Sequence, residues 1–120
     1  MICKFNVFII DTIGILTKIY SYADIAYVGG GFGNPGVHNI LEPATFGIPI
    51  LIGPNYSHFA EATTLVQAKG CIAIKNKQEL TLMFNELLNN TKVRKEKGEI
   101  CSFYVKQNKG ATKTILEYFP

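Results

Sequence analysis

Residues 29 to 54 read GGGFGNPGVHNILEPATFGIPILIGP, and the order of residue types in this stretch sets the fold class. Just before it, Asp24 to Val28 (DIAYV) is a short apolar run with the character of a buried strand. Glycines at 29, 30, 31, 33 and 36, with Pro35 among them, do not fit inside a regular element, so residues 29 to 36 are a loop. Val37 to Phe46 has the composition of a helix, stopped by Gly47 and Pro49. Ile50 to Ile52 is again a strand, ended by Gly53-Pro54. Strand, loop, helix and strand in that order make a parallel βαβ unit.

The same alternation extends in both directions. Upstream, Phe5 to Ile10 (FNVFII) reads as a strand ending at Asp11. Ile13 to Tyr22 follows as a helix, with Ile15, Leu16, Ile19 and Tyr20 at helical spacing and Asp11 or Thr12 as its cap. Downstream come a helix from His58 to Lys69, ended by Gly70, and a strand from Cys71 to Ile74. Asn76 with Glu79 forms a capping box that opens a helix with Leu80, Phe84, Leu87 and Leu88 on one stripe. Two further helices, about 92 to 107 and 111 to 119, finish the chain.

The expected fold is therefore α/β: a parallel Rossmann-like sheet with flanking helices, and residues 1 to 120 as one partial domain with C-terminal helices from about 92. In the doubly wound order 3-2-1-4-5-6, the four strands correspond to strands 3 to 6. Strands 1 and 2 are then missing, so the first strand has no native neighbour. The unpaired edge invites self-association.

Composition removes several function classes. Of 120 residues, 48% are hydrophobic and 18% charged, which suits a soluble α/β protein and is too apolar for disorder. The net charge of +3 lies mostly between Lys69 and Lys113, away from the glycines, and reads as a solvated helix face with no nucleic-acid partner. Cys3, Cys71 and Cys101 have no metal-ligand spacing and read as reduced thiols of a cytoplasmic protein. No apolar run approaches the roughly 20 residues that span a bilayer, and Met1 to Phe5 lacks a signal-peptide pattern.

Ligands of open parallel sheets bind beyond the carboxyl ends of the strands, where residues 29 to 36 lie. Glycines let a backbone approach a ligand closely, and a helix N-terminus near Val37, His38 and Asn39 favours an anion, so a phosphate is the natural guest. Glu42, four residues after His38, shares its helix face and can accept hydrogen bonds from two ribose hydroxyls. Residues 31 to 36 also fit G-x-G-x-x-G, the dinucleotide fingerprint. That motif calls for an acid at the end of the next strand, and Gly53-Pro54-Asn55-Tyr56 supplies none.

The whole stretch resembles the donor-binding signature of GT-B glycosyltransferases. Within them, His38-Asn39-x-Leu41-Glu42-Pro43, Gly53-Pro54, Asp11-Thr12-Ile13-Gly14 and Phe59-x-Glu61-Ala62 are similar to the bacterial Kdo transferases, which move 3-deoxy-D-manno-octulosonic acid (Kdo) from CMP-Kdo to the lipid A precursor. Two positions depart from the pattern: Val37 stands where a second glycine is frequent, and His58 where asparagine is.

The resemblance implies that Gly30, Gly31 and Gly36, with the N–H groups of Val37, His38 and Asn39, cradle the donor phosphate, and that Glu42 holds the ribose. It implies that Thr12, Ile13 and Gly14 line the cytosine pocket and that Asn55 and Phe59 face the sugar. It further implies no metal, no cofactor and no catalytic residue in this part, the base and the acceptor surface belonging to a missing N-terminal domain. The full enzyme is expected at the cytoplasmic face of the bacterial inner membrane, and this part alone is expected to be inactive. Two other readings stay open: a nucleotide-sugar epimerase-like domain and a stand-alone nucleotide-binding module without catalysis.

Overall fold

The computed structural model describes residues 16 to 118 apart from Pro35. The expected strand at Phe5 to Ile10, and Thr12, Ile13 and Gly14, lie outside the described residues. The elements in chain order are α1 (Leu16–Tyr20), β1 (Ala26–Val28), α2 (Leu41–Thr45), β2 (Ile50–Ile52), α3 (Ala60–Gln67), β3 (Cys71–Ala73), α4 (Lys77–Asn89) and α5 (Thr91–Tyr118). The three strands form one parallel sheet in the order β1-β2-β3, matching the last three positions of the expected order. Ala26 pairs with Ile50 and Ile50 with Cys71; Val28 pairs with Ile52 and Ile52 with Ala73.

This register divides the strand residues between two faces. Val28, Ile50, Ile52 and Cys71 face a core completed by Val37, Ile40, Ala44, Ala62, Leu65 and Cys101, from α2, its preceding segment, α3 and α5. Leu51 faces the opposite side and packs with Ile74 and Leu87, joined by Ile25, Ile72, Leu80, Met83 and Val93. α4 therefore covers the second face. Strands apolar on both faces are what a sheet covered by helices on both sides requires.

Sequence and structure differ at two helices. The expected helix from Val37 to Phe46 is helical only from Leu41 to Thr45. A helix begun at Val37 would carry Pro43 in its interior, where its ring meets the carbonyl one turn back. Starting at Leu41 places Pro43 in the first turn, where no N–H is needed. The two expected C-terminal helices are one continuous α5. Gly110 costs about 1 kcal/mol relative to alanine inside a helix, too little to end one when no proline lies in the nine residues after it. The capping box at α4 is present: Asn76 Oδ1 accepts the Glu79 N–H at 2.8 Å, while Glu79 returns to the Lys75 N–H.

α5 binds the layers together. It crosses the turn between α2 and β2 at Gly98, where an added Cβ would collide with the Gly47 carbonyl oxygen. Arg94 Nη1 donates to the Leu87 and Leu88 carbonyls at the end of α4, at 3.0 and 3.3 Å. Lys97 Nζ donates to the Lys69 carbonyl just past α3 at 2.9 Å. Cys101 Sγ donates to the Gly70 carbonyl at 3.3 Å, deep in the core.

Gly98→Ala should destabilise the protein by about 2 kcal/mol or more through backbone overlap, read as a lower urea midpoint, while exposed Glu99→Ala stays within about 0.5 kcal/mol. Cys71 and Cys101 give a second expectation. Burial pushes the Cys71 thiol up to about 12, helped by Cys101 and opposed by a hydrogen bond from the Ile72 backbone. Burial likewise pushes Cys101 up to about 12, opposed by Lys97. Folded thiols held above their unfolded value of 9.0 leave stability intact below about pH 9 and erode it from there toward about pH 12. Urea unfolding across that window should show the decline, and it should flatten in Cys71→Ala. Iodoacetamide at neutral pH should modify neither residue until urea is added.

Candidate functional site

The carboxyl ends of β1 and β2 emerge side by side, and the loops after them touch backbone to backbone. A Cβ on Gly31 would stand 2.5 Å from the Gly53 nitrogen, and one on Gly53 would stand 2.5 Å from the Gly31 carbonyl carbon. Neither position admits a side chain. Around this contact the glycine loop is folded by its own hydrogen bonds: Gly33 N–H to Gly30 O at 3.0 Å, Gly36 N–H to Gly33 O at 3.2 Å, and His38 N–H back to Gly29 O at 2.9 Å.

Three further bonds come from one residue of the neighbouring loop. The Asn55 N–H donates to Gly31 O at 2.7 Å, and the Asn55 carbonyl accepts the Val37 N–H at 3.0 Å. The Asn55 side chain donates through Nδ2 to Gly33 O at 3.0 Å. Gly30 and Gly36 have φ of +90° and +89°, which only glycine adopts without strain. A Cβ on Gly30 would meet the His38 ring at 2.7 Å, and one on Gly36 would meet the Phe59 ring at 2.8 Å.

The expected site residues fall into two groups. His38, Asn39 and Glu42 are exposed on the outer side of the loop and first turn of α2, beside the glycines. Asn39 Oδ1 accepts the Leu41 N–H at 2.9 Å and so starts α2 in the manner of an Asx turn. The Val37 and His38 N–H groups are committed to protein carbonyls, so in this arrangement they do not point at a ligand. The expectation that the helix N-terminus spans Val37 to Asn39 is corrected accordingly: the first turn begins at Leu41. Asn55 is turned toward the glycine loop. Phe59 is half-buried, packed on Gly36 and the core.

Tyr20, at the end of α1, lies near Glu42. Its hydroxyl is pushed above 10.0, first by partial burial and then by the Glu42 carboxylate. Sequence reasoning takes Tyr20 only as a packing residue, because nothing in its spacing links it to a position 22 residues later. Gly53 reads in sequence as the end of a strand and part of the family resemblance, and its backbone contact with Gly31 comes from the structure. The glycine loop forms a shelf at the strand exits whose exposed residues are Phe32, Gly33 and Asn34, while Gly31 and Gly36 are buried. A surface concavity of about 580 Å³ lies elsewhere, along α5 at Glu96, Glu99, Ile100, Ser102, Phe103 and Lys106. The shelf is the candidate site, because the strand ends and exposed polar side chains converge there. Among the described residues, no group of three or more His, Cys, Asp or Glu could hold a metal ion.

A parallel sheet with helices on both faces and a glycine shelf at the strand exits is a Rossmann-like domain. No protein-family model matches the sequence. Curated relatives do. The 3-deoxy-D-manno-octulosonic acid transferase of Aquifex aeolicus is 35% identical over 106 residues, covering 85% of this chain and 30% of the relative. The enzyme of that name from Chlamydia trachomatis serovar D is 36% identical over 116 residues, covering 95% and 27%. The chain belongs to the 3-deoxy-D-manno-octulosonic acid transferase family, and it spans about 30% of the length of these relatives. The fold matches a crystal structure of the C-terminal CMP-Kdo binding domain of WaaA from Acinetobacter baumannii, with a TM-score of 0.71 and 24% identity, over 82% of this chain and 51% of that one.

The glycines separate cleanly under substitution. Gly29 has nothing within 4 Å of an added Cβ, so Gly29→Ala should leave the urea midpoint nearly unchanged. Gly31→Ala should cost about 1–3 kcal/mol and shift the amide resonances of Gly53 and Asn55 in 15N spectra.

Proposed function

We propose that this chain is the donor-binding part of a glycosyltransferase that takes Kdo from CMP-Kdo and transfers it to the lipid A precursor in lipopolysaccharide biosynthesis. The observation that carries the reading is the glycine shelf at the β1 and β2 exits with His38, Asn39 and Glu42 exposed beside it, in a chain of this family. The donor phosphate would lie over Gly30, Gly31 and Gly36, near the His38 and Asn39 side chains, where the backbone lets an anion come close. Glu42 would accept hydrogen bonds from the ribose hydroxyls, and Tyr20 would border that carboxylate. Thr12, Ile13 and Gly14 would receive the cytosine.

The chemistry is displacement at the anomeric carbon of Kdo, with CMP leaving. The His38 and Asn39 side chains beside the phosphate would stabilise the charge that develops on it. Deprotonation of the acceptor hydroxyl requires a base; in this reading the other domain supplies it, together with the acceptor surface, so these residues alone bind the donor and do not turn it over. The reading needs no metal or cofactor. It places the whole enzyme at the cytoplasmic face of the bacterial inner membrane. Among the described residues no helix is long and apolar enough to cross a membrane.

Calorimetric titration with CMP, UMP and NAD tests the proposal. CMP should bind tightest, and Glu42→Ala should weaken it about tenfold or more, as expected for losing charge-assisted hydrogen bonds worth about 1.5 kcal/mol or more. A preference for NAD or UMP, or indifference to Glu42→Ala, would overturn it.

A further inference from the structure

The family resemblance implies that Asn55 faces the sugar, and in the structure its hydrogen bonds are all to the glycine loop and the residue that follows it. Its backbone N–H and carbonyl hold Gly31 and Val37, at either end of the glycine turn. Its side-chain amide holds Gly33 in the middle. Asn55 thus touches three points of a loop about 20 residues upstream. Only the nitrogen of the amide can donate to the Gly33 carbonyl, so the side chain has one orientation in this contact.

The segment it grips contains the residues least able to hold a shape alone. Gly31, Gly33 and Gly36 give the chain maximal backbone freedom, and ordering each such residue costs roughly 1–2 kcal/mol. Gly33 O already accepts the Gly36 N–H across the turn. With the Asn55 amide as its second donor, both acceptor sites of that carbonyl are filled and its direction is set. A carbonyl swung toward the shelf would present a partial negative charge to an anion.

We propose that Asn55 is a positioning residue for the anionic part of the ligand. Its side-chain amide fixes the direction of the Gly33 carbonyl, and so keeps that carbonyl from swinging toward a phosphate on the glycine shelf without itself touching the phosphate. This rests on the reading that the shelf receives the donor phosphate. It predicts a dependence on the ligand's charge that a general stabilising role does not.

The test compares CMP with cytidine, which lacks the phosphate, by 1H–15N titration of the wild type, Asn55→Ala, Asn55→Asp and Glu42→Ala. Asn55→Ala should lose about tenfold or more in CMP affinity while cytidine stays within about twofold. Asn55→Asp, of the same shape but without the donor, should do no better than alanine. Glu42→Ala should weaken both ligands alike, since both carry the ribose. Wild-type protein that binds no CMP overturns this proposal and the donor reading together. Wild-type binding with Glu42 dependence, combined with Asn55→Ala that binds CMP normally or loses CMP and cytidine equally, overturns the role of Asn55 alone. The urea midpoint of Asn55→Ala, expected within about 1 kcal/mol of wild type for one exposed hydrogen bond, separates misfolding from misplacement.

Discussion

The backbone contact between Gly31 and Gly53 is the constraint on which the strand-exit region depends. Two loops leave adjacent parallel strands, and each has its own course to follow. At this one place they come so near that neither admits a Cβ. The proximity brings Asn55 within reach of Gly31 and Gly33, and the Val37 N–H within reach of Asn55. With the loop ends held, the chain has only residues 37 to 40 in which to turn back toward the sheet. Val37 and Ile40 enter the core there while His38 and Asn39 stay outside. The exposed polar face next to the glycines is a consequence of that alternation.

Much of the architecture was legible in the residues because local and global preferences agree. Ile50 to Ile52 is apolar at every position, as a strand buried on both faces must be, and it occupies those bounds. The Asn76–Glu79 spacing marked the start of α4 because an N-cap acts within four residues. The short α2 was misread as longer because the apolar spacing of Val37, Ile40 and Ala44 fits a helix. The spacing does not register that Pro43 tolerates only the first turn. The C-terminal helix was misread in the opposite sense, as two helices where there is one.

The site was legible in composition but not in connectivity. Glycines, His38, Asn39 and Glu42 stand together in sequence and remain together on the shelf. Two of the N–H groups first assigned to the ligand, those of Val37 and His38, donate in this structure to carbonyls that come from 18 residues downstream and 9 upstream. Long-range partners of that kind leave no periodicity. The same holds for Asn55, whose role depends on which loop it meets.

The positive side chains of α5 change the meaning of the chain's net charge. An α-helix ends in unpaired carbonyls that together act as about half a negative charge. Arg94 sits on such an end at α4 and Lys97 on the one past α3. Two cations therefore have backbone carbonyls as their partners, which a count of charged side chains leaves out. Each helix also carries an equal positive end, so the formal value of +3 stands; what changes is where the charge lies, because two of the cations are tied down on backbone carbonyls.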